Sequence, residues 1–253
     1  MALGATGFNA DYMARTTSAP AVAIFRARED AEPSAARLSA RGFSAIIAPV
    51  VELHGTDASP PDERFDFVLA TSAKAFLFGS EAVLAAARGL PLYLVGEKTA
   101  AGARARGVLP VGDAAADVAE LIPRLQGVSG HALYIAGRDR RPDLEAALAG
   151  RVTTLVVYEA RARDGWSAEE ARAVANASAA VHYSERGAAL AARFAESAGI
   201  AAAFRYGPHV CLSRQVAGPL AAFGAARVLW PRTLREEAVF DTLESALADY
   251  GAK

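Results

Sequence analysis

From Pro20 onward the chain alternates short apolar runs with longer stretches in which apolar residues recur at helical spacing. That alternation predicts parallel strands wrapped by helices, since a strand buried on both faces reads as a continuous apolar run and each crossover needs a helix. Strands are predicted at Val22 to Phe25, Ala45 to Pro49, Phe67 to Ala70, Leu92 to Val95, Val108 to Val111, Ala132 to Ala136, Thr153 to Tyr158, Ala180 to Tyr183, Val210 to Ser213 and Arg227 to Trp230. Helices fill the gaps, among them Ala73 to Arg88, Thr99 to Arg106, Asp117 to Gln126, Asp143 to Ala149, Ser167 to Ala177, Arg186 to Ala198, Gln215 to Phe223 and Leu234 to Tyr250. Ala, Leu, Arg and Glu dominate them, in line with helix propensity.

The alternation repeats itself. Ile24-Phe25-Arg26, a helix ending at Gly42 and the strand before Val50 correspond to Ile135-Ala136-Gly137, a helix ending at Gly150 and the strand before Tyr158. Thr71-Ser72 answers to Tyr183-Ser184, Gly96 to Ser213 and Gly107 to Gly224, the last two pairs both 117 residues apart. Landmarks that keep both order and spacing point to duplication of a five-strand α/β unit. Two such units facing each other would enclose a cleft at their strand ends. The repeat leaves two arrangements open: Pro20 to Gln126 against Gly130 to Lys253, or an exchange of the leading βαβ between the halves. Crossings between Val50 and Asp62 and around Arg161 to Gly165, rich in polar residues, Pro or Gly, permit the exchange.

Composition narrows the function classes. The 253 residues are 53% apolar and 22% charged, which describes a globular protein of one large or two small domains. Basic and acidic residues number 27 and 28, and a net charge of −1 gives no electrostatic footprint for nucleic acid or an anionic membrane. Only Lys74, Lys98 and Lys253 are lysine, a coding bias without functional weight. Cys211 stands alone, so neither a disulfide framework nor a cysteine metal cluster is expected and the cytosol is the natural compartment. No apolar run reaches membrane-span length, and the start lacks the pattern of a signal peptide. Residues 1–19, rich in Ala, Thr, Ser and Gly, read as a frayed tail.

Candidate chemistry gathers at the predicted strand ends: Thr71-Ser72-Ala73, Gly96-Glu97-Lys98-Thr99, Gly137-Arg138, Tyr183-Ser184 and Leu212-Ser213. Small and hydroxylic residues there leave backbone N–H groups of the following helix facing a ligand, and such ends favour anions. Taken singly, each Ser or Thr is equally an ordinary N-cap; their recurrence at equivalent places favours binding. Gly137-Arg138-Asp139-Arg140-Arg141 adds three guanidinium groups after one strand, matched by Arg26 and Arg28 after its counterpart. Arg forks suit carboxylates and phosphates. Arg26 and Arg141 are the stronger candidates, whereas Arg28 and Arg140 read as solvated loop residues neutralised by Glu29 and Asp139. Phosphate-loop and dinucleotide fingerprints are missing, as are a nucleophile elbow and metal spacing among His54, His131, His182 and His209. The chain therefore reads as one that shapes a polyanion without metal or covalent nucleophile.

Taken in order, these segments resemble the uroporphyrinogen-III synthase family over roughly Val22 to Tyr250. The resemblance rests on Ala23-Ile24-Phe25-Arg26-Ala27-Arg28, Ile47-Ala48-Pro49, Asp66-Phe67-Val68-Leu69-Ala70-Thr71-Ser72-Ala73-Lys74-Ala75 and Tyr93-Leu94-Val95-Gly96-Glu97-Lys98-Thr99-Ala100. Added to these are Leu133-Tyr134-Ile135-Ala136-Gly137 with Arg141, Val156-Val157-Tyr158 and His182-Tyr183-Ser184-Glu185-Arg186. One departure is Leu212-Ser213-Arg214-Gln215-Val216-Ala217, where many relatives carry an Ile-Gly-Pro-x-Thr-Ala-like segment, so a family threonine contact does not transfer.

The resemblance implies two flavodoxin-like domains joined by a two-stranded linker, residues 1–51 with 162–253 and residues 52–161, and so selects the exchanged arrangement. It implies a monomeric, cytoplasmic lyase without cofactor, which closes the linear tetrapyrrole hydroxymethylbilane with inversion of ring D. That substrate would arrive from hydroxymethylbilane synthase, with no nucleic acid or membrane partner. Arg26, Thr71, Ser72, Ala73, Gly96, Thr99, Gly137, Arg138, Arg141, Ser184, Arg186 and Ser213 are the expected holders of the carboxylates. Backbone N–H groups of Ser72, Ala73, Gly96, Thr99, Ser184, Arg186 and Ser213 are expected to donate. Tyr158 is expected to donate a hydrogen bond or proton to the departing hydroxyl, since a phenol remains protonated at neutral pH; a packing role with a wet tip is the bland alternative. Two rival readings keep the fold: a two-lobed cytosolic binding protein for a small anion, and a regulatory protein that has lost activity.

Overall fold

The computed structural model describes residues 19–251, and the tail predicted at residues 1–19 lies outside them apart from Ala19. The leading elements are β1 (Ala21–Ile24), α1 (Arg28–Ala40), β2 (Ser44–Ile47) and β3 (Val51–Gly55). The middle of the chain forms β4 (Phe67–Ala70), α2 (Lys74–Phe78), α3 (Glu81–Ala87), β5 (Leu92–Leu94), α4 (Glu97–Ala105), α5 (Val118–Leu125), β6 (Ala132–Gly137), α6 (Asp143–Leu148) and β7 (Val152–Ala162). The rest forms α7 (Ala168–Ala175), β8 (Ala179–His182), α8 (Glu185–Ser197), α9 (Ala201–Tyr206), β9 (Pro208–Cys211), α10 (Arg214–Phe223), β10 (Arg227–Leu229) and α11 (Glu236–Gly251).

Two compact units result. The first takes the chain up to Glu52 and again from Ala162, and the second is Leu53–Arg161. The first unit's sheet has the order β10-β9-β8-β1-β2, all pairs parallel. Numbered by chain order, this is 2-1-3-4-5, the flavodoxin-like arrangement. The second sheet has the order β3-β7-β6-β4-β5, parallel from β7 to β5. Thr56 N–H donates to Val157 O at 2.9 Å and Arg163 N–H to Val50 O at 3.0 Å. Partner numbers fall as these rise, so β3 and β7, the strands in which the chain crosses between units, are antiparallel.

The two sheets share one plan. Matching β6 to β1, β7 to β2, β4 to β8 and β5 to β9 superposes their strand orders, with β3 added outside β7. Gly42 and Gly150 both take positive φ after their helices, 85° and 83°, as do Gly107 and Gly224, 71° and 84°. Arg88 Nη2 donates to Arg106 O at 3.3 Å and Arg205 Nε to Phe223 O at 2.9 Å. Both donor and acceptor pairs are again 117 residues apart, so even the arginine steadying the residue before each second glycine recurs.

Each sheet is covered on both faces. In the second unit, Val68, Ala70, Leu133 and Ile135 pack on one side and Phe67, Leu69, Tyr134 and Ala136 on the other. All four residues of β4 have 0% exposure, and burying Phe67, Val68 and Leu69 contributes about 1.5–3 kcal/mol each. The first unit divides likewise, with Ala23, Phe25 and Cys211 on one face and Val22, Ile24 and Val210 on the other.

Some elements differ from expectation. Ala73 to Arg88 is two helices, because Gly79 leaves the helix and Ser80 caps the next, its hydroxyl accepting from Val83 N–H. Val108 to Val111 is no strand: Pro110 lacks a donor, and the stretch is tied to β5 through Val111 N–H to Leu92 O at 2.9 Å, with Ala115 N–H to Leu94 O at 2.9 Å further along the chain. The place that β10 holds in the first sheet, beyond β5 here, is marked by a single bridge, Val95 to Ala115. Val51–Gly55, which periodicity did not mark, is a strand, in keeping with the two-stranded linker that the resemblance implied, and Ala201–Tyr206 is a helix that periodicity did not reveal.

Candidate functional site

In a flavodoxin-like sheet the ligand crevice lies at the carboxyl ends of strands one and three, where successive connections leave in opposite directions. In the second unit those strands are β6 and β4, and a cavity of about 280 Å³ opens beyond their ends. Its wall combines Thr71 and Ser72 after β4, Gly137, Asp139, Arg140 and Arg141 at and after β6, and Asp143 and Leu144 of α6. Tyr134, Tyr158 and Val118 complete it. Ligand sites commonly run about 300–1,000 Å³, so this volume suits one substituted ring with its side chains rather than a long chain molecule.

Five sequence-predicted residues thus meet here: Thr71, Ser72, Gly137, Arg141 and Tyr158. Gly137 is required by its neighbour, since a Cβ there would stand 2.5 Å from Tyr158 Cζ. The tyrosine ring, seated on that bare backbone, is backed by Phe78 at 5.6 Å between centroids in a stacked pair. The amide of Arg138 donates to Tyr158 O at 2.9 Å, tying the strand end to the loop.

The three arginines of the loop have different occupations. Arg138 is paired with Glu159, which Arg161 also holds at 2.7 Å; Arg161 and Arg138 together keep the Glu159 carboxyl below its usual range. Arg140 Nε donates to Glu145 Oε1 at 2.7 Å and its Nη1 to Gly137 O at 3.2 Å, so it braces the loop. Glu145 is thus a partner that the sequence reading, which set Asp139 beside Arg140, did not name. Arg141 is exposed on the cavity wall and makes no hydrogen bond or ion pair among the described residues. An exposed guanidinium on a cavity wall is ready to take a carboxylate in a two-pronged hydrogen bond.

Other predicted residues lie off this wall. Ala73 packs toward Gly102 of α4, where an added Cβ would come within 3.2 Å. The amides of Gly96 and Thr99 are not available as donors: Gly96 N–H bonds to Ala115 O at 2.8 Å and Thr99 N–H to Gly96 O at 3.0 Å. Thr99 is 4% exposed, which places its side chain in the core. In the first unit, Ser184 and Ser213 cap α8 and α10, their hydroxyls accepting from Gly187 and Val216 N–H. Arg186 is exposed on the first turn of α8.

The place equivalent to the cavity in the first unit, between the ends of β1 and β8, is filled from within. Arg26 lies over the Tyr183 ring at 4.3 Å and its Nη1 is 3.4 Å from Glu236 Oε1. The buried Ser34 hydroxyl donates to the same carboxylate oxygen at 2.5 Å, and Arg37 pairs with the other. Arg26 therefore anchors the start of α11 instead of facing a ligand.

Tyr134 is the residue that sequence reasoning missed. It sits in an apolar strand and reads as core, yet its hydroxyl lies 2.9 Å from Thr71 Oγ1 at the cavity. Burial pushes its phenol above the ordinary tyrosine range, partly offset by the bond to Thr71. The available signal was chemical: a tyrosine inside a fully buried strand needs a partner for its hydroxyl, which is found at a strand end. Among the described residues no group of three or more His, Cys, Asp and Glu side chains is placed to hold a metal, and no helix is long and apolar enough to cross a membrane.

Comparison with known proteins gives a consistent result. The family model described as uroporphyrinogen-III synthase HemD matches residues 32–241. No curated protein matches the sequence. Among solved structures, the uroporphyrinogen-III synthetase of Helicobacter pylori is similar with a TM-score of 0.59 and 15% identity, over 90% of this chain and 99% of that one. A mutant uroporphyrinogen III synthase of the extremely thermophilic bacterium Thermus thermophilus is 19% identical over 91% of this chain and 100% of that one, with a TM-score of 0.47. At such identities the Helicobacter likeness speaks for the fold, and the family match speaks for descent.

Proposed function

The chain belongs to the uroporphyrinogen-III synthase family, and on that premise we propose that it closes hydroxymethylbilane to uroporphyrinogen III with inversion of ring D and loss of water. The observation that carries the reading is the family match over residues 32–241. The position of the cavity at the ligand crevice of the second sheet supports it.

Loss of the terminal hydroxyl leaves an azafulvenium-like cation, which the substituted α-carbon of ring D attacks to form a spiro intermediate. Fragmentation and reclosure then invert the ring. The bilane also closes spontaneously to the uninverted isomer, so the protein must favour one geometry over a competing one. Its handles are eight acetate and propionate carboxylates. Arg141 and the amide of Ser72, which have no protein acceptor among the described residues, hold those of the ring seated in the second unit. Tyr158 donates to the departing hydroxyl. Because the reaction eliminates water, the enzyme is a lyase; it works in the cytoplasm on bilane handed over by hydroxymethylbilane synthase.

The deciding assay supplies freshly prepared hydroxymethylbilane, oxidises the products and separates the uroporphyrin isomers. Enrichment of type III over the spontaneous type I is the expected result. Type I alone, at the rate seen without protein, overturns the reading.

A further inference from the structure

Tyr134 and Thr71 bring two hydroxyl hydrogens to a single shared bond of 2.9 Å. The hydrogen left over must point elsewhere. Tyr134 is 2% exposed within β6, and its oxygen has no second partner among the described residues. A spare phenol hydrogen there would be buried without an acceptor, which folded proteins avoid. Thr71 is half-buried on the cavity wall, where a spare hydrogen meets water or ligand. The satisfied arrangement therefore has the phenol donating and Thr71 Oγ1 accepting, with the threonine's own O–H turned into the cavity. Burial favours the protonated phenol, so this donor persists at neutral pH.

We propose that Tyr134 is a positioning residue, whose phenol fixes the Thr71 hydroxyl as a hydrogen-bond donor to an oxygen of the bound substrate. This rests on the reading that the substrate is hydroxymethylbilane, whose carboxylates and departing hydroxyl all accept. Tyr134 also lines the cavity, but its phenol hydrogen is committed to Thr71 and so acts through that residue. Tyr158, on the neighbouring strand, lies outside this pair and serves the same cavity separately.

Steady-state kinetics on Tyr134→Phe, Thr71→Val, Thr71→Ser and the double variant Tyr134→Phe/Thr71→Val tests the idea, with thermal melting to check folding. Tyr134→Phe and Thr71→Val should each lower kcat/KM about tenfold, the loss of one good hydrogen bond at the transition state. The double variant should be no worse than Thr71→Val alone, because the phenol has nothing left to orient. Thr71→Ser keeps the hydroxyl and should stay within about threefold of wild type. Wild-type kcat/KM in Tyr134→Phe or in Thr71→Val overturns the proposal, as do losses that multiply in the double variant. If the wild-type protein fails to enrich the type III isomer, the functional reading falls instead, and the two failures are told apart.

Discussion

His182 Nε2 lies 3.0 Å from His209 Nδ1, with both rings buried between β8 and β9 of the first unit. His209 Nε2 is 2.6 Å from Phe204 O, which only accepts, so His209 carries its proton there. Its Nδ1 is then the acceptor and His182 Nε2–H the donor, which leaves His182 Nδ1 a buried lone pair without a partner. Phe25, Phe204 and Cys211 face the pair. None is charged: burial pushes the Cys211 thiol up to about 12.

Acid should therefore weaken the first unit. Burial, with His209 beside it, holds His182 well below the usual histidine range, and burial lowers His209 despite its bond to Phe204 O. Below about pH 6.5 the unfolded rings take up protons while the folded ones stay neutral. The unfolded state then binds more protons, so stability is full above that pH and lost on acidification, by up to about 1.4 kcal/mol per pH unit for each ring. Urea midpoints measured from about pH 7.5 down to about 5 should fall in the wild type and fall less steeply in His182→Leu. Identical slopes would acquit the pair.

Gly137 leaves room for the Tyr158 ring, and Phe78 blocks the ring's retreat. Gly137→Ala should lower stability by about 1–3 kcal/mol through this overlap and cut kcat at least about tenfold by displacing the phenol. Tyr158→Phe should slow turnover with little change in binding. Calorimetry together with kinetics separates the two effects. Full activity in Gly137→Ala would show that the ring's position does not matter.

Neighbouring arginines offer an internal control. Arg141 is without a protein partner among the described residues, whereas Arg140 braces the loop through Glu145 and Gly137 O. Arg141→Ala should raise KM several-fold with Tm unchanged. Arg140→Ala should lower Tm by removing the brace and leaving the Glu145 carboxylate without its charge partner. If instead Arg140→Ala raises KM and Arg141→Ala does not, the assignment is reversed.

Much of the fold was legible because its landmarks are local. The glycines at 42, 107, 150 and 224 mark positive φ, and Ser184 and Ser213 mark N-caps; both are chemistries a chain writes at single positions. Val51–Gly55 escaped the periodicity reading, though not the two-stranded linker implied by the resemblance, because a short strand beside a polar linker has too few alternations to declare a period. Arg26 misled for another reason: its partner Glu236 lies 210 residues away, at the start of α11. A guanidinium looks free in sequence whenever its counter-charge is distant.

The amino-acid order by itself determined most of the elements, the duplication and the set of strand ends where chemistry gathers, because hydrophobic period, capping and turn conformation depend on near neighbours. Only the tertiary structure decided which strands share a sheet, which of three adjacent arginines stays unpaired, and that Tyr134 meets Thr71 across 63 residues. Hydrogen-bond partners follow strand order, and strand order is set by how whole sheets bury their two faces, a property that no short stretch of chain contains.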